Sequence, residues 1–599
     1  MGFGPLPWGA VILLLAIHTA TAGPALDYLY IEANSGTSSG GHVAVKLDET
    51  VYHFQNKDGL ILLQRDAWPR FRHLYADLDN RDIHVARAAI PESVLIQVKQ
   101  HLDLFHLTQK ALLDRAASLD RDVQLLESLA EARPYQVPGA GFFNQNPHFK
   151  EGSPRFRELA SKETRDSLRR RLQSLIQTRR DLRYFVTEAN RQDFTPANFS
   201  QSFADRWIDL VQNEISFMFV LGQKEFDQTL LMDGGPLPPE KSQNDCSARR
   251  WLEGYRRHLA EDAEHLLLQP YPGSGITLLR TLARLEAVRL SLERERLLLL
   301  LPGLTSSNAL QHNDEYLQGA QHRLEAEFRA HLETLSQRTF CANEIDDLAY
   351  HKLELAALDL QETVQANQHE IPVQFDHDPD LPNAPSPIPL DAIDRSRGPE
   401  KTDLKKAIAS RDRLQDHIKE KMRYNLITRN CVTELIKAMN AGFENDQEPP
   451  EFQGHIEPLR SQAFVPFRFF ELVLKQYPVE SSTRIPSYRH QRLSQLIAQE
   501  NEAWVEMREG NTLTSTLYHP RQHDGVFLFF TDGSVWSRPI LGSVNLGTAM
   551  IAMTLGMIGL PLDEGRLLEA GARGALFSLP EIALWNIRKG TYTEAALRK

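Results

Sequence analysis

Basic residues are not in surplus in this sequence. Its 599 residues contain 67 Lys and Arg against 79 Asp and Glu, for a formal net charge of −12. A protein that holds phosphate backbones needs a basic face, so nucleic acid is not an expected partner. The apolar content of 42% is that of a folded protein. The length predicts about three or four domains.

Cysteine is also scarce, with one residue at each of positions 246, 341 and 431. A zinc site needs four Cys or His ligands at suitable spacing, and no such cluster is present, so no metal or cofactor is predicted. An odd number of cysteines in an exported chain is typical of one disulfide and one free thiol. Cys246 and Cys341 both lie in the helix-rich middle and are candidates for a pair, which would leave Cys431 alone.

Lys and Arg are missing from the first residues, so only the amino terminus supplies positive charge there. An apolar stretch, Ala10 to Ile17, precedes the small-x-small sequence ATA at 20–22, which is the pattern of a secretory cleavage site. The sequence therefore predicts a signal peptide over 1–22 and a periplasmic or cell-envelope location.

Charged residues are absent between Arg538 and Asp563, where the chain reads PILGSVNLGTAMIAMTLGMIGLPL. The segment is long enough to cross a bilayer, but it is Gly-rich and only moderately apolar. Membrane contact through 539–562, as a surface or re-entrant segment, and a buried core hairpin are about equally compatible with this pattern, and a clean span is less favoured.

The first two thirds of the chain predict an α+β protein. Residues 23–90 are β-rich, because DYLYIEA, GHVAVKL and VYHFQ alternate apolar and polar positions. Residues 91–368 have apolar side chains at helical spacing and predict a large all-α insertion. Within it, ITLLRTLARLEAVRLSLERERLLLLLPG predicts one long helix. Residues 369–400 are Pro-rich and predict a linker.

The last third predicts two further parts. Residues 401–480 read as a helix, a short turn, and a second helix that begins close to Cys431 and ends at Gly442. Residues 481–599 contain DGVFLFFTDGSVW, which predicts a β-hairpin with Asp532 and Gly533 in its turn, followed by the apolar segment.

Cys431 is a candidate nucleophile because of its predicted place at a helix start. Unpaired backbone N–H groups and the positive end of the helix dipole favour the thiolate there, and the same N–H groups can hold the oxyanion of a tetrahedral intermediate. A lone cysteine is more often a small buried hydrophobe. The nucleophile hypothesis therefore depends on a base supplied by another part of the chain.

Two histidines in NSGTSSGGHVAVKLDETVYHF can supply that base. His42 follows Gly41 at the start of a strand, and His53 lies on the next strand. An antiparallel pairing across the Asp-Glu-Thr break would bring the two rings together. In a Cys-His-polar arrangement His42 takes and returns the proton, while His53 fixes the tautomer of His42 through its other nitrogen.

The segment GGHVAVKLDETVYHF resembles the strand-turn-strand of the papain-like superfamily that contains bacterial cell-wall peptidases and lecithin:retinol acyltransferase. The segment YNLITRNCVTEL resembles its Asn-Cys helix start. The order, with histidines first and cysteine last, is similar to that of the circularly permuted branch. Together, SSGGH and the Tyr…Asn-Cys segment resemble the periplasmic domain of Lnb-type bacterial lipoprotein N-acyltransferases. The two blocks cover about 60 residues.

The resemblance implies a permuted papain-like core in which Cys431 is the nucleophile, His42 the general base and acid, and His53 the orienting third member. Asn430 and Tyr424 would be neighbours of the site. The implied activity is acyl transfer or hydrolysis through a thioester, with a phospholipid or lipoprotein as substrate. A cell-wall peptidase or amidase with the same triad, and an inactive envelope scaffold, are the alternatives. The partners of the helical insertion are not indicated.

Overall fold

The structure, a computed structural model, describes residues 25–33, 41–145, 162–184, 201–238, 247–301, 332–342, 345, 347–368, 382, 384–390, 401–443, 463–518, 520, 524–533, 535–583, 585–587 and 589–590. The predicted signal peptide at 1–22 and Cys246 lie outside the described residues. Cys341 is disulfide-bonded, and Cys431 is a free thiol.

A six-stranded antiparallel sheet forms the core that carries the histidines, in the order β12-β5-β1-β2-β3-β4. The α+β prediction is therefore confirmed. The strands are β1 (Ala25–Ile31), β2 (His42–Leu47), β3 (Thr50–Lys57), β4 (Leu60–Ala67), β5 (Ile83–Ala89) and β12 (Val479–Ile485).

Tight turns set the register of the strands that carry the site. The β2–β3 ladder begins at the pair Leu47↔Thr50, which confirms the predicted antiparallel pairing. The β3–β4 turn consists of Asp58 and Gly59, with φ of 51° and 82°, as a type I′ hairpin turn requires. Because the turn has two residues, Lys57 pairs with Leu60 and the register of the whole hairpin follows from it.

Helices cover both faces of the sheet. On the face that we call the cysteine face, α2 (Glu92–Glu131), α10 (Cys431–Phe443) and α11 (Pro466–Gln476) pack on alternate strand residues such as Val43, Val45, Tyr52 and Phe54. On the opposite face, which we call the histidine face, α1 (Trp68–Arg72) and a π-helical turn (His73–Leu78) cover a smaller apolar cluster. The prediction that a second helix begins close to Cys431 is confirmed.

The long insertion is mostly helical, with a second hydrophobic core of its own. Its helices are α3 (Lys162–Arg180), α4 (Phe203–Val220), α5 (Ala248–Leu268), α6 (Gly275–Arg294), α7 (332–340) and α8 (Asp347–Gln368), and α9 (Lys401–Met422) follows. The all-α prediction is wrong in detail, because short two-stranded ladders join β6 (Tyr135–Val137) to β11 (Ser386–Ile388), β7 (Phe143–Gln145) to β8 (Lys224–Phe226), and β9 (Leu231–Pro236) to β10 (Arg296–Leu300).

The predicted long helix at 276–303 is interrupted. Helix α6 ends at Arg294, Glu295 adopts a left-handed conformation with φ of 54°, and the leucines that follow form strand β10. A run of leucines has neither a helical nor a strand period, so packing decides, and these side chains are buried against strand β9 and helix α6. In the same way, part of the predicted linker at 369–400 is strand β11.

The predicted β-hairpin in DGVFLFFTDGSVW is wrong. Its backbone groups bond to side chains and helices instead of to each other: Leu528 and Phe529 donate their N–H groups to Asn545 Oδ1 at 3.0 and 2.8 Å, and Val526 N–H donates to the carbonyl of Ala570 at 3.0 Å. Phe527 and Phe530 form a small cluster with Leu517 and Tyr518. Tertiary contacts therefore replace the hairpin ladder.

Beyond β12, helices α12 (Tyr488–Ile497) and α13 (Glu502–Glu509) lead to an antiparallel pair of helices, α14 (Arg538–Asp563) and α15 (Arg566–Ile582). We call this pair the apolar hairpin. Glycines allow close approach of its helices, since a Cβ at Gly571 would lie 2.7 Å from Met553 N. Helix α14 overlaps the one described helix, Val535–Leu560, that is long and apolar enough to cross a membrane.

Candidate active site

Asn430 fixes the start of the helix that carries the cysteine. Its Oδ1 accepts hydrogen bonds from the N–H groups of Val432 and Thr433 at 3.0 and 2.9 Å, and its own N–H donates to Thr433 Oγ1 at 2.8 Å. This is N-cap geometry with a reciprocal side chain. The Asn430 amide also donates to the carbonyls of Leu426 and Phe464, so the cap joins the helix to both flanking segments.

Strands β2 and β3 separate at the end of the sheet where Cys431 lies. Their ladder runs only from Leu47↔Thr50 to Val45↔Tyr52, so the first half of β2 diverges from β3. The backbone N–H of Val43 donates a hydrogen bond to the sulfur of Cys431. The structure therefore brings the cysteine to Val43, which directly follows His42. In the sequence 388 residues lie between His42 and Cys431.

Three buried side chains form a hydrogen-bonded row on the histidine face. His42 Nε2 lies 2.8 Å from His53 Nδ1, and His53 Nε2 lies 2.9 Å from Asp66 Oδ2. The three residues are 6%, 0% and 4% exposed. The predicted proximity of the two rings is confirmed, and their catalytic roles stay a prediction.

With Asp66 ionised and both rings neutral, the row fixes which nitrogen of each ring carries hydrogen. An ionised Asp66 can only accept, so His53 carries its hydrogen on Nε2 and its Nδ1 accepts. In that arrangement His42 donates from Nε2 to His53. Nδ1 of His42 is then the ring nitrogen that does not bond to His53, and it is the candidate for the predicted base.

Aromatic rings hold the two imidazoles in place. Tyr75 from the π-helical turn stacks on His42, with centroids 5.6 Å apart, and Phe71 meets His53 edge-on at 5.2 Å. Burial raises the pKa of Tyr75 well above its ordinary value, so its hydroxyl stays neutral. The Arg81 guanidinium lies over the Tyr75 ring at 5.2 Å and is the positive charge that acts on Cys431.

Gly41 and Tyr424, the other two predicted neighbours of the site, lie next to His42 in the chain and near Cys431, respectively. Gly41 has a φ of 87°, and a Cβ there would lie 2.6 Å from Cε2 of Tyr30, so only glycine fits. Tyr424 lies near Cys431: its N–H donates to the Gly59 carbonyl at 2.7 Å, and burial, with the cysteine as a second cause, raises the pKa of its hydroxyl.

The surroundings of Cys431 raise the pKa of its thiol, contrary to the expectation from its helix position. Burial raises the pKa of Cys431 to about 11, although hydrogen bonds from the N–H groups of Val43 and Val432 and the charge of Arg81 act in the opposite direction. Removal of the sulfur from water therefore outweighs the local stabilisation of its anion. Deprotonation of such a thiol at neutral pH therefore requires a base.

Alkylation of Cys431 should reveal this raised pKa. Only the thiolate reacts, and a pKa of about 11 leaves a thiolate fraction of about 10⁻⁴ at pH 7. We expect the iodoacetamide rate at Cys431, followed by peptide mass spectrometry, to rise about tenfold per pH unit from 7 to 10. The urea-unfolded chain is the control and should level off above its ordinary pKa of about 8.5. A pH-independent rate below pH 8 in the folded protein would instead indicate a preformed thiolate–imidazolium pair.

Asp66 was missed in the sequence, although a signal for it exists. The Asp58-Gly59 turn fixes the β3–β4 register, in which Gln64 lies opposite His53. Asp66, two residues further along β4, is therefore on the same face as His53 and diagonal to it. Arg81 and Tyr75 had no comparable signal, since they belong to an irregular connection between β4 and β5.

Two groups of described side chains are close enough to share a cation: Glu32, Asp82 and His84, and His258, Asp262 and Asp347. In the first group Asp82 already accepts hydrogen bonds from Arg484 and from the N–H of Ser487, and it contacts His490. In the second, Asp347 accepts from Tyr255. Neither group includes Cys431 or the imidazole row.

Comparisons with protein-family models, curated proteins and solved structures found no match to this chain. The papain-like resemblance consequently depends on the two sequence blocks alone.

Proposed function

We propose that the protein is a cysteine-dependent acyl-transfer enzyme of the cell envelope with a permuted papain-like core, in which Cys431 is acylated by a phospholipid or lipoprotein and His42 is the general base. The observation that carries the proposal is the meeting of the Cys431 sulfur with the Val43 amide at one end of the buried row His42–His53–Asp66.

The chemistry follows from these groups. As the sulfur attacks an ester or amide carbonyl, the thiol proton passes to Nδ1 of His42 and a carbon–sulfur bond forms. The backbone N–H of Cys431, at the helix start, stabilises the oxyanion. The imidazolium then protonates the leaving alcohol or amine, and the thioester remains.

Transfer to a second acceptor completes the cycle. Water or an amine attacks the thioester while Nδ1 of His42 accepts its proton, and the proton returns to the sulfur as the bond to carbon breaks. His53 and Asp66 stabilise the imidazolium of His42 in both halves of the reaction. The Nε2–H of His42 donates to His53, and His53 in turn donates to the Asp66 carboxylate.

A lipid substrate is favoured over cell-wall peptide by the surface of the protein. Helix α14 exposes large apolar side chains along its length, including Ile551 at 64% and Ile558 at 75% exposure. A cell-wall peptidase needs a polar groove, whereas membrane contact through 539–562 would bring the protein to acylated lipids. The peptidase and scaffold interpretations are the outcomes that the following experiment can distinguish.

The test is the mass of the intact protein after incubation with phospholipid vesicles or with purified cell-wall peptide. We expect an increase equal to one acyl chain with vesicles, reversed by hydroxylamine as a thioester requires, and no increase for Cys431→Ala. Lys437→Ala, an exposed change on the same helix, is the matched control and should keep the adduct. An adduct with cell-wall peptide alone would support the peptidase, and none with either substrate would support the scaffold.

A further inference from the structure

We infer that the apolar hairpin docks in a lipid bilayer with its two tryptophans at the headgroup level, and that this places Cys431 where the ester carbonyls of membrane lipids lie. The inference rests on the proposed function, to which it adds the orientation of the site and the source of its acyl donor.

The outer surface of the apolar hairpin is exposed and mostly apolar on both helices, with one ion pair on α15 between Glu569 and Arg573 at 2.9 Å. On α14 and its turn the exposed large apolar residues are Ile540, Val544, Met550, Ile551, Leu555, Met557, Ile558, Leu560 and Leu562, and on α15 they are Leu567, Leu576, Leu579 and Ile582. Only 28% of the most apolar window of the 26-residue helix Val535–Leu560 is buried inside the protein. A core helix of a soluble protein would be mostly buried, so this surface requires an apolar partner.

The distribution of charge favours a bilayer as that partner over a second copy of the chain. On α14 no charged residue occurs from Pro539 to Leu562. On α15 the charges are paired, Glu569 with Arg573 at 2.9 Å and the buried Glu581 with Lys589 at 2.7 Å. At 1.5 Å per residue the 24 uncharged positions of α14 extend about 36 Å, compared with about 30 Å for the hydrocarbon core of a bilayer. Protein–protein interfaces, in contrast, are edged by polar rims.

Two tryptophans mark the end of the hairpin that lies closest to the rest of the protein. Trp536 lies two residues before the start of α14 and is 83% exposed, and Trp585 lies three residues after the end of α15 and is 45% exposed. Because α14 and α15 are antiparallel, the two rings are at the same end. Tryptophan is enriched at the level of lipid headgroups, so this end of the hairpin is expected to lie there.

The same end of the hairpin contacts the catalytic end of the sheet. The Trp585 ring meets Phe467 edge-on at 4.9 Å, and Phe467 lies three residues from Phe464, whose carbonyl holds the Asn430 cap of the cysteine helix. Asn586 Nδ2 lies 3.5 Å from Glu32 Oε2, and Glu32 directly follows Ile31, the partner of His42 in the sheet.

A second exposed apolar element lies beside the nucleophile. Leu426 and Ile427 are 71% and 50% exposed at the tip of a tight turn whose backbone is held by the Asn425 side chain. The Leu426 carbonyl accepts from the Asn430 cap at 2.7 Å, which ties the turn to the start of the cysteine helix. With Trp585 docked at the headgroups, such a turn can contact acyl chains next to the sulfur.

Vesicle flotation of a double variant, Ile551→Glu with Ile558→Glu, tests the docking surface. Both side chains are exposed, so the fold should be kept, whereas two carboxylates in the hydrocarbon layer are costly. We expect the wild type to float with phosphatidylglycerol-containing vesicles and the variant to bind at least about tenfold more weakly. Leu104→Glu with Leu107→Glu on α2, which are 63% and 61% exposed, is the matched control and should float like the wild type.

Two acyl donors separate failure of the inference from failure of the proposed function. With a water-soluble short-chain ester, the hairpin variant should acylate Cys431 at the wild-type rate, and with vesicles it should lose at least about tenfold in rate. Equal rates with vesicles would overturn the docking inference alone. Absence of an adduct from both donors in the wild type would overturn the proposed function. If the wild type does not bind vesicles and the hairpin variant changes the oligomeric state, the partner of the hairpin is a second copy of the chain. That result would overturn the inference.

Discussion

Replacing His42 by alanine is expected to lower the rate of Cys431 acylation by about 10³- to 10⁴-fold at pH 7. The reason is the raised pKa of the half-buried thiol, about 11, which leaves the thiol protonated unless a neighbouring base removes the proton during attack. In the proposed mechanism that base is Nδ1 of His42, the ring nitrogen that does not bond to His53. The measurement is single-turnover acylation by a soluble ester, followed by intact mass.

The pH dependence separates loss of a base from loss of structure. At pH 10 hydroxide can deprotonate the thiol without help, so iodoacetamide should alkylate the His42→Ala variant within a few-fold of the wild-type rate. His84→Ala is the matched control, because His84 is another imidazole at the same end of the sheet, 3.0 Å from Glu32. It should retain acylation within a few-fold. Equal rates for the wild type and His42→Ala at pH 7 would rule out His42 as the base.

Local sequence patterns were sufficient to predict the two segments that carry the site, which are the histidine strands and the cysteine helix. The strands that carry His42 and His53 alternate cleanly, and a short polar break between them predicts the antiparallel pairing that is observed. The Asn-Cys pair predicts a helix start, and the helix begins at Cys431. What these patterns could not supply is the contact between the cysteine and Val43, since no local rule relates residues so far apart in the chain.

Sequence-based prediction missed the elements whose packing partners are distant in the sequence. Strand β12 is polar and mostly exposed, and only its pairing with β5 makes it a strand. The predicted hairpin near Asp532 is replaced by bonds to Asn545 on α14. The leucines after Arg294 form a strand because β9 is beside them. In each case a tertiary partner overrides a local preference.

The apolar segment at 539–562 illustrates a different limit. Its composition left membrane contact and a buried core hairpin open, and the structure has a hairpin whose inner face is packed through glycines while its outer face is exposed. Composition reports how apolar a segment is, whereas the direction in which each side chain points depends on the second helix. The choice between the two interpretations therefore required the packing of α14 against α15.

Asp66→Asn is the sharpest test of the proposed proton arrangement, because it changes one atom and keeps the shape of the side chain. An amide at this position can donate to His53 Nε2, which would move the hydrogen of His53 to Nδ1. His53 would then donate to His42 Nε2, and His42 would carry its hydrogen on Nδ1, where the base is needed. We expect Cys431 acylation to fall by about 10²- to 10³-fold, by the same tautomer effect that an Asp→Asn change has in serine proteases.

Asp27→Asn is the matched control for this change. Asp27 is a mostly buried carboxylate on β1 of the same sheet, paired with Lys46 at 3.5 Å, and it has no contact with the imidazole row among the described interactions. It should acylate within a few-fold of the wild type. Since a reversed tautomer removes the base and leaves the sulfur in place, Asp66→Asn should also keep the wild-type alkylation rate at pH 10. A loss of alkylation at pH 10 together with a lower unfolding temperature would show that Asp66 acts on the fold and not on the proton.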